Sequence, residues 1–96
     1  MKDKYEDFQD VPAGYPIEYN HFLYYLETGR EVEFLYDNQI YFISNQGEGR
    51  TLWHDGKQIS KFFKDNQIFI NEVKIDDLSL REIFSDTSLH KIETVF

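Results

Sequence analysis

The segment YDNQIYFISN at residues 36–45 has a near echo in KDNQIFINEV at residues 64–73. Both carry Asp-Asn-Gln-Ile followed by an aromatic and a second apolar residue. Whether the copies form one repeated unit, or use the same letters for two purposes, bears on the fold more than on the function.

The first copy lies in EVEFLYDNQIYFIS, residues 31–44, where apolar residues alternate. A two-residue Asp37-Asn38 turn, whose residue types tolerate positive backbone angles, pairs Tyr36 with Gln39, Phe34 with Tyr41 and Val32 with Ile43. That register predicts a core face of Val32, Phe34, Tyr36, Tyr41 and Ile43. Glu31, Glu33, Leu35, Ile40, Phe42 and Ser44 take the other face, which must in part be covered or used. NQGEG at 45–49 reads as a loop, with Gly47 and Gly49 supplying unusual dihedrals. A third strand over 50–54, closed by Asp55-Gly56, completes an antiparallel meander.

The second copy admits two readings. A hairpin pairs Phe63 with Ile68 and Phe62 with Phe69, and the β-branched residues suit it. A helix over 66–73 takes Asp65 as N-cap and gathers Ile68, Phe69 and Val73 on a broad face that Glu72 interrupts. Periodicity does not separate the two. The helix is the preferred reading.

The flanking segments carry clearer signals. A helix over 19–28 is expected, with Asn20 as N-cap, Tyr19 and Tyr24 as a hydrophobic staple, and Gly29 as its end. Phe22, Leu23 and Leu26 form its apolar stripe. SLRE at 79–82 is a capping box, and Leu80, Ile83 and Phe84 follow at helical spacing. SLHKIETVF at 88–96 alternates and reads as a strand returning to the sheet. In residues 1–18, Pro12, Gly14 and Pro16 disfavour regular structure. Tyr5, Phe8, Val11, Tyr15 and Ile17 are nevertheless too apolar for a solvated tail, so part of this leader is expected to lie across the domain. An acidic-aromatic arm that orders on a partner is the less favoured reading. The expected fold is α+β: an irregular leader 1–18, then one domain over 19–96. That domain comprises a short N-terminal helix, a three-stranded antiparallel meander, two short helices and a C-terminal strand.

GREVEFLY at 29–36 and KIDDLSLREIF at 74–84 resemble a class of small, acidic bacterial α+β proteins of unassigned function. The resemblance spans residues 20–93. It implies a short helix leading into a hairpin, a finish of helices and a strand, and the helical reading of the second copy. Asp77 stands where that pattern would place a turn glycine. The resemblance carries no catalytic residue across.

Composition narrows the function classes. Ninety-six residues make one core, and with 41% hydrophobic and 18% aromatic residues that core is built largely on rings. Absence of cysteine removes disulfides, thiolate nucleophiles and cysteine-ligated metals. MKDKYEDFQD has no apolar run behind its lysines, so no signal peptide is read there. No stretch approaches the roughly 20 apolar residues of a membrane span. A cytoplasmic protein is the expectation. Eighteen acids against ten bases give a net charge of −8, which argues against nucleic acid and against anionic membranes. A basic protein partner remains compatible with that charge, and solubility alone would also account for it.

Catalytic patterns are weak. His21, His54 and His90 lie far apart, with no HxxxH or HExxH spacing, so metal binding is not expected. Ser44, Ser60, Ser79, Ser85 and Ser88 lack a nucleophile-elbow sequence. GEG at 47–49 lacks the lysine and helix start of a phosphate loop, and Asp76-Asp77 lacks the alternating oxygen ligands of a calcium loop. Glu31 and Glu33 read as the solvent side of a strand. Tyr36, Tyr41 and Trp53 would make a base-stacking platform only beside a basic groove; Lys57, Lys61 and Lys64 form a modest patch bracketed by Asp55 and Asp65. No cofactor is expected.

The leading expectation is a non-catalytic protein-binding module, in its sharpest form an immunity protein or inhibitor of a basic enzyme. Glu31 and Glu33, with Asp7 and Asp10 of the leader, are its nominated contacts. A homo-oligomeric module pairing through Leu35, Ile40 and Phe42 is the alternative, and a small enzyme with an unrecognised site the third.

Overall fold

In a computed structural model that describes residues 8–96, the two DNQI copies adopt different structures. The first is the expected hairpin. Strands β1 (Val32–Tyr36) and β2 (Gln39–Gln46) pair in the predicted register, Val32 opposite Ile43 through Tyr36 opposite Gln39. Asp37 and Asn38 take φ of 50° and 61°, the left-handed values that a two-residue turn needs to match strand twist. In the second copy Asp65 accepts a hydrogen bond from the Ile68 amide and starts a helix over Asn66–Glu72. The same four letters serve as a turn into a strand and as a cap into a helix.

The elements run α1 (Tyr19–Glu27), β1, β2, β3 (Gly49–His54), β4 (Lys57–Gln58), α2 (Asn66–Glu72), β5 (Lys74–Ile75), β6 (Leu78–Ser79), α3 (Leu80–Phe84) and β7 (Lys91–Val95). The main sheet is antiparallel with strand order β4-β3-β2-β1-β7, and β5 and β6 form a separate ribbon. The expected α+β arrangement is present, with the C-terminal strand beside β1. Three short strands, β4 to β6, enlarge it. The loop read at 45–49 contracts to Gly47-Glu48, because Asn45 and Gln46 pair with Arg50 and Gly49.

Helix α1 starts two residues earlier than Asn20 capping requires. Glu18 holds the N-cap position without a side-chain bond, and Asn20 is exposed inside the first turn. Tertiary bonding sets this start instead: Ile17, 3% exposed, donates its amide to His90. The other end follows local chemistry. Gly29 at φ +79° lets its own amide reach Leu26 and the Arg30 amide reach Tyr25, a Schellman closure. In α3 the Ser79 hydroxyl accepts from the Glu82 amide while Glu82 accepts from Ser79, as the SLRE pattern predicts.

One face of the sheet is core. Val32, Phe34, Ile43, Leu52 and Ile92 are fully buried there, packed with Phe22 and Leu26 of α1, Phe69 and Ile70 of α2, and Leu80, Ile83 and Phe84 of α3. Phe84 is central. Its ring stacks on Phe22 at 3.7 Å and meets Phe34 edge-on at 4.9 Å, contacts that each add about 1 kcal/mol beyond area burial. Residues 8–18 cross this unit rather than trail from it. Gly14 and Tyr15 bond to Ile92, so the leader covers part of the β7 edge.

Candidate functional site

No helix among the described residues packs on the second sheet face. Its centre is a single cross-strand row: Gln58, Trp53, Phe42, Glu33 and Thr94 are successive register partners, one from each strand. Neighbouring strands lie about 4.8 Å apart, so these side chains stand shoulder to shoulder. A groove of about 740 Å³ runs over this row towards the turns, lined by Glu33, Phe42, Trp53, Ile40, Gln46 and Asp55 among others.

Trp53 is fixed in place. Its indole Nε1 donates to Thr51 Oγ1 at 2.9 Å and to Ser44 Oγ at 3.3 Å. Those two hydroxyls also bond to each other, and both residues are buried although they belong to the outward-facing set. The indole thus covers a small polar cluster and spends its one donor on it. Phe42 lies between Trp53 and Phe96, which meets it edge-on at 5.7 Å. Glu33 Oε1 accepts from the Thr94 hydroxyl at 3.2 Å. Among the groove's lining residues there are two carboxylates, Glu33 and Asp55, and no lysine or arginine.

At the turn end, His54 stacks on Tyr41 at 4.4 Å, and its Nδ1 lies 2.9 Å from the Ile40 carbonyl oxygen. His21 stacks on Phe8, and burial holds its pKa below the usual imidazole value. His90 is buried between α3 and β7 with both ring nitrogens bonded to backbone. The three imidazoles remain separate. Among the described residues no three of His, Asp and Glu gather as ligands for a metal ion.

The nominated acidic residues have different surroundings. Arg30 engages both oxygens of Asp10, at 3.0 and 3.3 Å, and stands 5.6 Å over the Tyr25 ring. Burial first, then the nearby Asp10, pushes the Tyr25 phenol up to about 12. Glu31 Oε2 accepts from the Asn45 amide at 2.8 Å, continuing the ladder beyond β1. Glu33 alone of the three lines the groove. Asp7 lies outside the described residues. Leu35, Ile40 and Phe42, nominated as an oligomer surface, share the outward face, and Ile40 is 41% exposed.

Two residues that sequence reading passed over prove central. Sequence groups Trp53 with Tyr36 and Tyr41 as core or as a stacking platform, but those two tyrosines point to the opposite face. Arg50 is 3% exposed and donates to the carbonyls of Arg30 and Leu26 at 2.7 and 2.9 Å and to Asn66 Oδ1 at 3.2 Å. It ties the end of α1 to the start of α2. Burial pulls its pKa down to about 10, against the opposing effect of Glu31, and it stays charged at neutral pH.

No helix among the described residues is long and apolar enough to cross a membrane. Comparison with protein-family models, with curated proteins and with solved structures gave no match to this chain.

Proposed function

We propose that this chain is a non-catalytic protein-binding module whose partner is basic, and that the sheet face opposite the helices is the surface it uses. One observation carries the reading: a groove on an open antiparallel face, lined by the aromatic residues Tyr41, Phe42 and Trp53 and the carboxylates of Glu33 and Asp55, with no lysine or arginine among its described lining residues. An antiparallel sheet commonly leaves one face to water, but that face is then polar along its length. Here Leu35, Ile40, Phe42 and Trp53 occupy it instead. Aromatic residues ringed by polar groups are typical of binding surfaces, and the net charge of −8 would speed encounter with a basic protein. Inhibition of a basic enzyme, as by an immunity protein, is the most specific form of this proposal.

The test is affinity capture from host lysate followed by titration calorimetry on the purified partner. Wild-type affinity should fall as salt rises, and the double variant Ile40→Lys, Phe42→Lys should bind at least tenfold more weakly while keeping the wild-type circular dichroism. Equal binding by a folded double variant would overturn the assignment of this face.

A homo-oligomer is the second reading, favoured by the shared face of Leu35, Ile40 and Phe42 and by Phe96, 60% exposed beside Phe42. Two copies would each bring the same acidic charge to the contact, which weakens self-pairing relative to a basic partner. Sedimentation across a hundredfold range of concentration separates the two: a constant monomer excludes self-association.

A further inference from the structure

The groove has a chemical bias that identifies what would occupy it. The Trp53 donor is spent within the sheet, on Thr51 and Ser44, so the indole brings to the groove an aromatic ring and no free hydrogen-bond donor. Phe42, the next residue in the row, brings a second ring, with Phe96 packed against it at 5.7 Å. Glu33 follows, and only its Oε1 is hydrogen-bonded among the described residues. The groove therefore presents aromatic rings, carboxylate oxygens and adaptable amides such as Gln46, with no lysine or arginine among its described lining residues to answer them. Ring faces attract cations through their quadrupole, and a carboxylate attracts them directly.

We propose that the Glu33–Phe42–Trp53 row is the seat for an arginine side chain of the partner. The proposal rests on the protein-binding reading above and names the partner group that the site selects. Arginine fits better than lysine for a geometric reason. Its guanidinium is flat and stacks on an aromatic ring while its edge directs paired N–H donors at a carboxylate. Here rings and carboxylate lie side by side along one row. The pinned indole means that little ordering is needed on the receiving side.

The probe is N-acetyl-arginine amide, titrated into the full chain while the indole N–H resonance of Trp53 is followed by NMR. Trp53 is the only tryptophan, so that resonance is unambiguous. The neutral isostere N-acetyl-citrulline amide and N-acetyl-lysine amide serve as comparisons. Arginine should bind saturably, about fivefold or more tightly than citrulline, and more tightly than lysine. Glu33→Gln retains an oxygen for the Thr94 hydroxyl and should abolish the preference over citrulline; Phe42→Leu should weaken binding without abolishing the preference.

Equal binding of arginine and citrulline, or an unchanged preference in Glu33→Gln, would overturn the cation seat. Equal binding of lysine would overturn the arginine assignment. The broader reading fails on a different result, undiminished partner binding by the Ile40→Lys, Phe42→Lys variant. An indifferent probe together with a crippled double variant would therefore reject the arginine seat and leave the protein-binding face standing.

Discussion

The Ile17 amide donates to His90 Nε2 at 3.1 Å, joining residues 73 apart in the chain. With Nε2 accepting, Nδ1 carries the proton and faces the carbonyl oxygens of Ile83 and Asp86 at 3.0 and 3.1 Å. A neutral ring thus links the leader to the α3–β7 connection. Burial lowers the His90 pKa, and the surrounding carbonyls and Asp86 only partly oppose that.

The sign of the pH dependence follows. Above the ordinary histidine value, near 6.5, folded and unfolded chains both hold neutral His90, and pH has no effect through it. As pH falls below that value the unfolded chain takes up a proton that the folded chain resists, so stability falls until the folded ring also titrates. His21, lowered by burial in the same direction, adds to the slope. Urea denaturation from pH 7.5 to 5 should show declining midpoints. His90→Gln should be less stable at pH 7.5 and show a shallower decline, and the double variant with His21→Gln should be nearly flat. An undiminished slope in the double variant would place the proton uptake elsewhere.

Arg50 supports a second prediction. Its guanidinium fills carbonyl positions at the end of α1 and the side-chain oxygen of Asn66 at once. Removing it takes the donor from the Arg30 carbonyl and from Asn66 Oδ1, while the Leu26 carbonyl keeps the Gly29 amide and Asn66 Nδ2; the penalty is large because unmade buried bonds cost more than made ones contribute. Arg50→Met should destabilise by about 2–4 kcal/mol in urea titration. Arg50→Lys should recover only part, because a single ammonium cannot reproduce the fork.

These residues also show where the sequence is legible. The Asp37-Asn38 hairpin could be read because alternation and turn chemistry are local and agree. Asp65 and Ser79 could be read as caps because a cap needs only its next three residues. Arg50 could not. Its position in β3 marks it as inward-facing, its charge suggests a surface, and its acceptors on Leu26 and Arg30 belong to a distant segment. The groove was hidden for a similar reason. Phe42 meets Trp53 only if the β2–β3 turn is Gly47-Glu48, and a five-residue loop at 45–49 gives no such register. Charge sign nominated Asp10 and Glu31, but sign does not reveal that Arg30 and the Asn45 amide already engage them.

Gly49 tests that turn. It sits at φ +128°, and a Cβ there would collide with the Phe63 carbonyl oxygen. That carbonyl accepts from the Arg50 amide, and the Phe63 amide donates back to Arg50, so the close approach is what holds residue 63 against β3. Both strain and collision oppose a side chain. Gly49→Ala should cost about 1–3 kcal/mol, with faster amide exchange at Phe63. Gly47 has no atom within 4 Å of a built Cβ, and Gly47→Ala should be nearly neutral by the same measurement.

The last prediction concerns the third two-residue turn. Asp37-Asn38, Asp55-Gly56 and Asp76-Asp77 all begin with aspartate and all take positive φ at both positions. Only the middle one has glycine where it is favoured. At Asp77, φ is +68° with a Cβ present, a conformation that costs an ordinary residue about 1–2 kcal/mol. Asp76 beside it adds like charge, and also raises the Tyr36 phenol pKa, though less than burial does. Asp77→Gly removes both the steric cost and the repulsion, offset by the greater freedom glycine has in the unfolded chain. The net expectation is a gain of about 0.5–1 kcal/mol, read as a raised urea midpoint at low salt. Repeating the titration in 1 M NaCl separates the two contributions, because salt screens the charge and leaves the backbone cost unchanged. A gain that survives high salt assigns the effect to the left-handed backbone. One that vanishes assigns it to the paired aspartates, and no gain at either salt would mean that neither is a source of strain.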